Sequence, residues 1–209
     1  MTTGIVSIYL YGSLVYGVAG PSHDYDLIVI TKEGHRPVPS DVVRIFKESL
    51  GIKDHRQIDI NFYTESEFQT ALEGMEISFL ECVNGASANF GSTLVYGKAF
   101  PMPKIDLQIL RSSISKKVSN SWVKSKKKLD EESFDFAPYV GKKSAWHSLR
   151  ILMFGIQLAK YGKIVNIVEA NGIFRDVMDC EKWSDIDSKF RKIYNSLSSE
   201  FKLVAPLKK

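Results

Sequence analysis

The sequence predicts an α+β protein with a strand-and-helix first half and a helical second half. Three observations carry that expectation: short β-branched and aromatic runs closed by glycine-bearing turns, helical apolar spacing farther along, and Pro101 and Pro103 between the two patterns. The expected domains are therefore residues 1–103 and 104–209.

In the first half, Ile5 to Tyr11 reads as a strand closed by Gly12-Ser13, and Asp26 to Thr31 as a second closed by Lys32-Glu33-Gly34. Arg56 to Tyr63 alternates apolar and polar residues and is the third. Between the last two, Ser40 precedes Val42, Val43, Ile45, Phe46 and Leu50 at helical spacing, with Gly51 just beyond, so a helix capped by Ser40 is expected. Ser66 to Leu72 and Met75 to Val83 are shorter helices separated by Gly74, and 84–97 reads as a loop holding one short strand. Past the prolines, Lys104 to Lys128, Lys142 to Tyr161 and Lys182 to Phe201 are the expected helices, with an acidic-aromatic link from Asp130 to Tyr139.

Composition narrows the class of protein. A chain of 209 residues with 44% hydrophobic content buries a core without disulfide or metal staples. Cys82 and Cys180 have no zinc-site spacing and suit reduced thiols, so the expected location is the cytoplasm. Leu149 to Ala159, the longest apolar stretch, is too short to span a bilayer, and no membrane association is expected. The net charge of +4 conceals an uneven distribution: −5 over residues 1–103, +6 over 104–150 and +3 over 151–209. Uneven solvated surface and a cation-plus-phosphate site both fit that division.

The chemistry-bearing stretch runs from Tyr11-Gly12-Ser13 to Asp24-Tyr25-Asp26. Two residues apart on an extended chain, Asp24 and Asp26 leave the same face. Paired carboxylates repel, and a hard divalent cation with a preference for oxygen ligands relieves that repulsion. In Gln57-Ile58-Asp59-Ile60-Asn61-Phe62-Tyr63 the apolar residues face one way and Asp59 the other, so Asp59 is a third candidate ligand. Three carboxylates on neighbouring strands suit two Mg²⁺ ions, with Mn²⁺ as substitute, in an in-line phosphoryl transfer. Gly12 would let the backbone approach a triphosphate, and Ser13 with the following amides would hold its oxygens.

Gly12-Ser13, a ten-residue interval, Asp24-x-Asp26 and a strand-borne Asp59 together resemble the DNA polymerase β-type nucleotidyltransferase superfamily. The Gly-Ser-x-x-x-Gly-x-Ala run, Gln57-Ile-Asp-Ile with the Phe68 and Glu81 segments, and Lys142-Lys-Ser-Ala-Trp-His147-Ser-Leu-Arg150 resemble the RNA-ligase-associated nucleotidyltransferases. The resemblance spans roughly residues 5 to 165. It implies a small mixed sheet with flanking helices as the core, followed by a helical domain that closes a nucleotide cleft. His23 stands where relatives carry a small residue; it either touches a metal-bound phosphate or sits at the surface.

At about 100° per residue, Lys143, His147 and Arg150 fall within about 60° of one helix face, opposite Ala145, Leu149, Leu152, Ile156 and Ala159. Ile151, Phe154 and Leu158 make the basic side apolar farther along, so this helix should be buried nearly all round. Basic groups on such a helix need partners: a triphosphate, or acidic neighbours in a structural role. The resemblance implies that His147 and Arg150 belong to the active-site cleft. Lys116, Lys117, Lys124, Lys126, Lys127 and Lys128, with Trp122 among them, read either as a solvated face or as contacts to an acceptor's phosphate backbone.

The expected reaction is NMP transfer from an NTP to an acceptor hydroxyl, with an RNA end favoured. Asp24, Asp26 and Asp59 are its expected catalytic and metal residues, and Gly12, Ser13, Lys143, His147 and Arg150 its nucleotide-binding residues. Nucleotidylation of a protein or small molecule, and a nucleotide- or RNA-binding module without turnover, are the alternatives.

Overall fold

The computed structural model describes residues 4–20, 23–130 and 137–207. The chain divides into two compact units, Met1–Pro103 and Lys104–Lys209.

The first unit is built on a four-stranded mixed sheet of β1 (Ile5–Tyr11), β2 (Tyr25–Thr31), β3 (Ile58–Thr64) and β6 (Leu94–Gly97), in the order β3-β2-β1-β6. β1 runs antiparallel to β2 and to β6, and β2 runs parallel to β3. A helix, α2 (Pro39–Leu50), makes the crossover that the parallel pair requires. The helix starts at Pro39 with Val38 as its cap, so Ser40 lies inside the first turn and caps nothing. Proline explains the earlier start, since its fixed φ and missing N–H suit the first helical position. Gly51 ends the helix in the left-handed conformation, as expected.

Thr64 closes β3 and caps α3 (Glu65–Glu73) through a capping box with Glu67, one residue earlier than the expected start. The next helix, α4 (Ile77–Asn84), begins two residues late because Met75 takes a positive φ of 53° in the connecting turn. The stretch read as a loop supplies a small hairpin of β4 (Ala86–Ser87) and β5 (Gly91–Ser92), then β6.

Alternation sends each strand's residues to opposite faces. On one face Tyr25 meets Phe46 of α2 at 5.1 Å. On the other, Tyr9 stacks on Phe68 at 5.8 Å and Tyr63 meets Phe79 at 4.9 Å, so α3 and α4 cover that side.

The second unit is helical: α5 (Leu107–Asp130), α6 (Ala137–Tyr161), a short 3₁₀ turn (Glu169–Ile173), α7 (Phe174–Met178) and α8 (Trp183–Val204). Asp106 Oδ1 accepts from the amides of Gln108 and Ile109 at 2.8 and 3.1 Å, which sets the start of α5 later than expected. Pro138 in the first turn lets α6 begin five residues early, and 131–136 of the expected link lie outside the described residues.

Two glycines bring α6 against its neighbours. A Cβ on Gly155 would lie 3.0 Å from Ile114 and 3.1 Å from Phe201, and one on Gly141 would lie 2.7 Å from Leu129. Buried positions occupy nearly every side of α6, as its pattern predicted. Trp122, included in the basic run, is instead core: it stacks on Tyr194 at 4.4 Å and meets Trp183 at 5.2 Å.

Candidate active site

The sheet face under α3 and α4 changes character along its length. At one end Tyr9, Ile28 and Ile30 are buried beneath Phe68 and Phe79; at the other stand Tyr11, Asp26, Asp59 and Asn61, part or fully exposed. Register makes this polar end a row across three strands. Tyr11 pairs with Asp26, and Asp26 pairs with Asp59. Directly paired residues share a face, so the two carboxylates are cross-strand neighbours.

Tyr25 fixes the aspartates on either side of it. Its ring is buried on the opposite face, its hydroxyl donates to Asp54 at 2.9 Å, and Arg56 lies over the ring at 4.2 Å. Arg56 also binds Asp54 through Nε at 2.8 Å, so the expected strand start at Arg56 is a clamp ahead of β3. With Tyr25 held inward, the backbone presents Asp24 and Asp26 to the other face.

Gly12 ends β1 with φ 82°, and a Cβ there would lie 2.2 Å from Asp26 Oδ2. Any side chain at this position would occupy the place of the carboxylate, so glycine is required for both its φ and its size. Ser13 opens a four-residue helix, α1 (Ser13–Tyr16), with its side chain buried. This turn is braced from behind. Ala88 N–H donates to Val15 O at 2.8 Å, Asn89 Nδ2 to Leu14 O at 2.7 Å, and the Tyr16 hydroxyl to the buried Glu81 carboxylate.

Sequence reasoning passed over Tyr11 and Asn61. Asn61 Nδ2 donates to the Tyr11 hydroxyl at 3.0 Å, spanning the strand that carries Asp26. Burial first, then the charges of Asp26 and Asp59, push the Tyr11 phenol up to about 12. The alternation that exposed Asp59 also marks Asn61, two residues on, and was the available signal. Gln57 Nε2 donates to Asp59 Oδ1 at 2.9 Å.

Among the described residues, no three of His, Cys, Asp and Glu form a ready-made metal group. The structure pairs Asp26 with Asp59 but does not gather Asp24 with them into the expected triad. Carboxylates without a cation repel, which opposes such a cluster. The candidate donor set is all oxygen, and the Asp26 carboxylate fills the place that a side chain at residue 12 would take; oxygen donors of this kind suit a hard divalent ion. His23 is folded back on its own turn, where Nδ1 accepts the Gly20 amide at 2.8 Å.

In the helical unit, Arg150 is buried with its guanidinium over the rings of Phe154 and Trp146 at 5.0 and 5.6 Å. Its Nη2 lies 3.2 Å from His147 Nδ1. A guanidinium only donates, so that nitrogen is the acceptor of a neutral imidazole. Burial, followed by Arg150, Lys143, Lys117 and Lys124, holds the His147 pKa well below its ordinary value. His147 is thus not one of three positive charges, as its place among basic residues suggested. Lys143 Nζ lies 5.9 Å from the Tyr139 ring.

Residues 2–82 match the family model of a nucleotidyltransferase domain, a span that holds Gly12, Ser13, Asp24, Asp26 and Asp59. The first unit has the polymerase β-like nucleotidyltransferase fold, and the protein is an enzyme of the nucleotidyltransferase class. No curated protein matches the chain. Among solved structures, spectinomycin adenyltransferase AAD(9) from Enterococcus faecialis, with ATP and spectinomycin, aligns over 96% of this chain and 93% of its own. The TM-score is 0.46 and the sequence identity 13%. Among the described residues, no helix is long and apolar enough to cross a membrane.

Proposed function

We propose that the protein transfers an NMP from an NTP to the hydroxyl of an RNA end, releasing pyrophosphate. The observation that carries this reading is the Asp26–Asp59 pair at the open end of the sheet, beside a glycine whose missing side chain lets the Asp26 carboxylate sit against the turn. Asp24, Asp26 and Asp59 would hold two Mg²⁺ ions, or Mn²⁺ in their place, and Asp59 would also draw the proton from the attacking hydroxyl. Such ions lower the pKa of a bound hydroxyl and neutralise charge on the leaving group.

The backbone at Gly12 and the Ser13 hydroxyl would hold the triphosphate, its position set by the Tyr16–Glu81 brace. Lys143 and Arg150 would offset phosphate charge, and neutral His147 would offer a hydrogen bond. The RNA acceptor is supported by the resemblance to RNA-ligase-associated nucleotidyltransferases and by the basic second half. Two buried free thiols suit a reducing cytoplasm.

Incubation with each α-labelled NTP, Mg²⁺ or Mn²⁺ and a mixed pool of RNA, protein and small-molecule acceptors tests the reading. Label is expected in the RNA fraction. Label in the protein or small-molecule fraction would reassign the acceptor, and no transfer to any fraction would contradict the reaction.

A further inference from the structure

On α5, Lys116, Lys117, Lys124, Lys127 and Lys128 fall within about 120° of one helix face, over about 18 Å of helix axis. All but the half-buried Lys128 are exposed. Packing joins this face to α6. Ser148 Oγ donates to Val118 O at 2.9 Å and Gly141 closes on Ser125 and Lys128, and Lys117 and Lys124 of α5 both act on the pKa of His147 on α6. Lys143 Nζ lies 5.9 Å from the ring of Tyr139, a residue 40% exposed. Tyr139, Lys143 and His147 follow one another at four-residue spacing and share a face.

Among the described residues, no carboxylate forms an ion pair with Lys116, Lys117, Lys124, Lys127 or Lys143. The low pKa of His147 reports the same crowding, since its largest charged neighbours are Arg150, Lys143, Lys117 and Lys124, all cationic. A row of like charges is strained until an anion of matching length lies along it. Lysines are point charges without the fork of arginine, which suits a flexible phosphate chain, and an exposed ring at the end of the row offers a base a stacking surface.

We propose that the lysine face of α5, continued through Lys143 to Tyr139 on α6, binds the phosphodiester backbone of single-stranded nucleic acid without needing NTP or metal. The inference rests on the nucleotidyl-transfer reading and deepens it by giving the acceptor a docking surface on the helical unit. A base stacks on Tyr139 while successive phosphates follow the lysines.

The test is fluorescence anisotropy of an unstructured, end-labelled oligoribonucleotide of about 12 nucleotides, with EDTA and without NTP. Affinity should fall with salt at a log–log slope of about −3, corresponding to about four phosphates neutralised. The fourfold variant Lys116→Gln, Lys117→Gln, Lys124→Gln, Lys127→Gln should bind at least about tenfold more weakly. Lys163→Gln, Lys189→Gln, Lys192→Gln, Lys202→Gln removes the same charge from exposed sites elsewhere and should bind as wild type does. Tyr139→Ala should cost about tenfold. No binding in EDTA, equal losses in the two fourfold variants, or tighter binding of duplex than of single strand would overturn the proposal. Label transfer is read separately: transfer without this binding removes the surface and leaves the reaction, and binding without transfer does the reverse.

Discussion

Asp26 and Asp59 stand at the open end of a sheet face, whereas Arg150 and His147 stand on a helix buried almost all round. Both groups depend on neighbouring strands or helices for their setting, yet the outcomes are opposite. At the sheet end, Gly12 gives up a side chain so that the Asp26 carboxylate keeps its place, and Asp59 stays in solvent. On α6, burial and surrounding cations remove the charge of His147, leaving Arg150 and the lysines to carry it. The first arrangement leaves carboxylate oxygens at an open sheet end, and the second gathers basic side chains around a neutral hydrogen-bonding ring. Burial, more than residue type, separates the two roles.

The largest expected effect breaks the acidic side. Asp26→Asn or Asp59→Asn should lower label transfer by about a thousandfold or more, with the circular dichroism spectrum and thermal midpoint preserved. Next comes Gly12→Ala, which combines φ 82° with a contact of 2.2 Å. It should cost about 1–3 kcal/mol, lowering the midpoint by about 2–4 °C for each kcal/mol; an unchanged midpoint would break the claim that Asp26 needs that space.

On the basic side, the folded His147 resists protonation while the unfolded chain accepts a proton near pH 6.5. The unfolded state therefore binds more protons as pH falls, so stability is full above about 6.5 and declines below it, by at most about 1.4 kcal/mol per pH unit. The thermal midpoint measured from pH 7.5 to 5 should fall less steeply in His147→Asn than in wild type. The smallest effect belongs to Asn61→Ala, which removes one exposed hydrogen bond and should cost about 1 kcal/mol or less. Tyr11, held up to about 12, should stay mostly protonated at pH 11, read from its own ring-carbon NMR signal assigned by Tyr11→Phe.

Period-two alternation put Asp26 and Asp59 on one face of the sheet, because that property is local. Their register is not local. The pairing of Asp26 with Asp59 depends on the Asp54–Arg56 clamp around Tyr25, and the placement of α1 depends on Glu81, 65 residues from Tyr16. β6 reads from the sequence as no more than a short strand in a loop because its partner among the described strands, β1, lies some ninety residues earlier. The α6 pattern announced burial, which is the main cause of the low His147 pKa, followed by Arg150 and Lys143 on the same helix; the smaller contributions of Lys117 and Lys124 come from α5 and were not legible in that pattern. Thr64 and Glu67 were legible as a capping box and mark the true start of α3, which the apolar spacing alone set too late.

The central claim is that the Asp26–Asp59 row holds the divalent ions that serve the nucleotide. Mn²⁺ titration followed by electron paramagnetic resonance, with a non-hydrolysable ATP analogue present, measures it directly. Wild type should bind two ions per chain, and Asp26→Asn should lose at least one while retaining its fold; undiminished Mn²⁺ binding by Asp26→Asn would contradict the account.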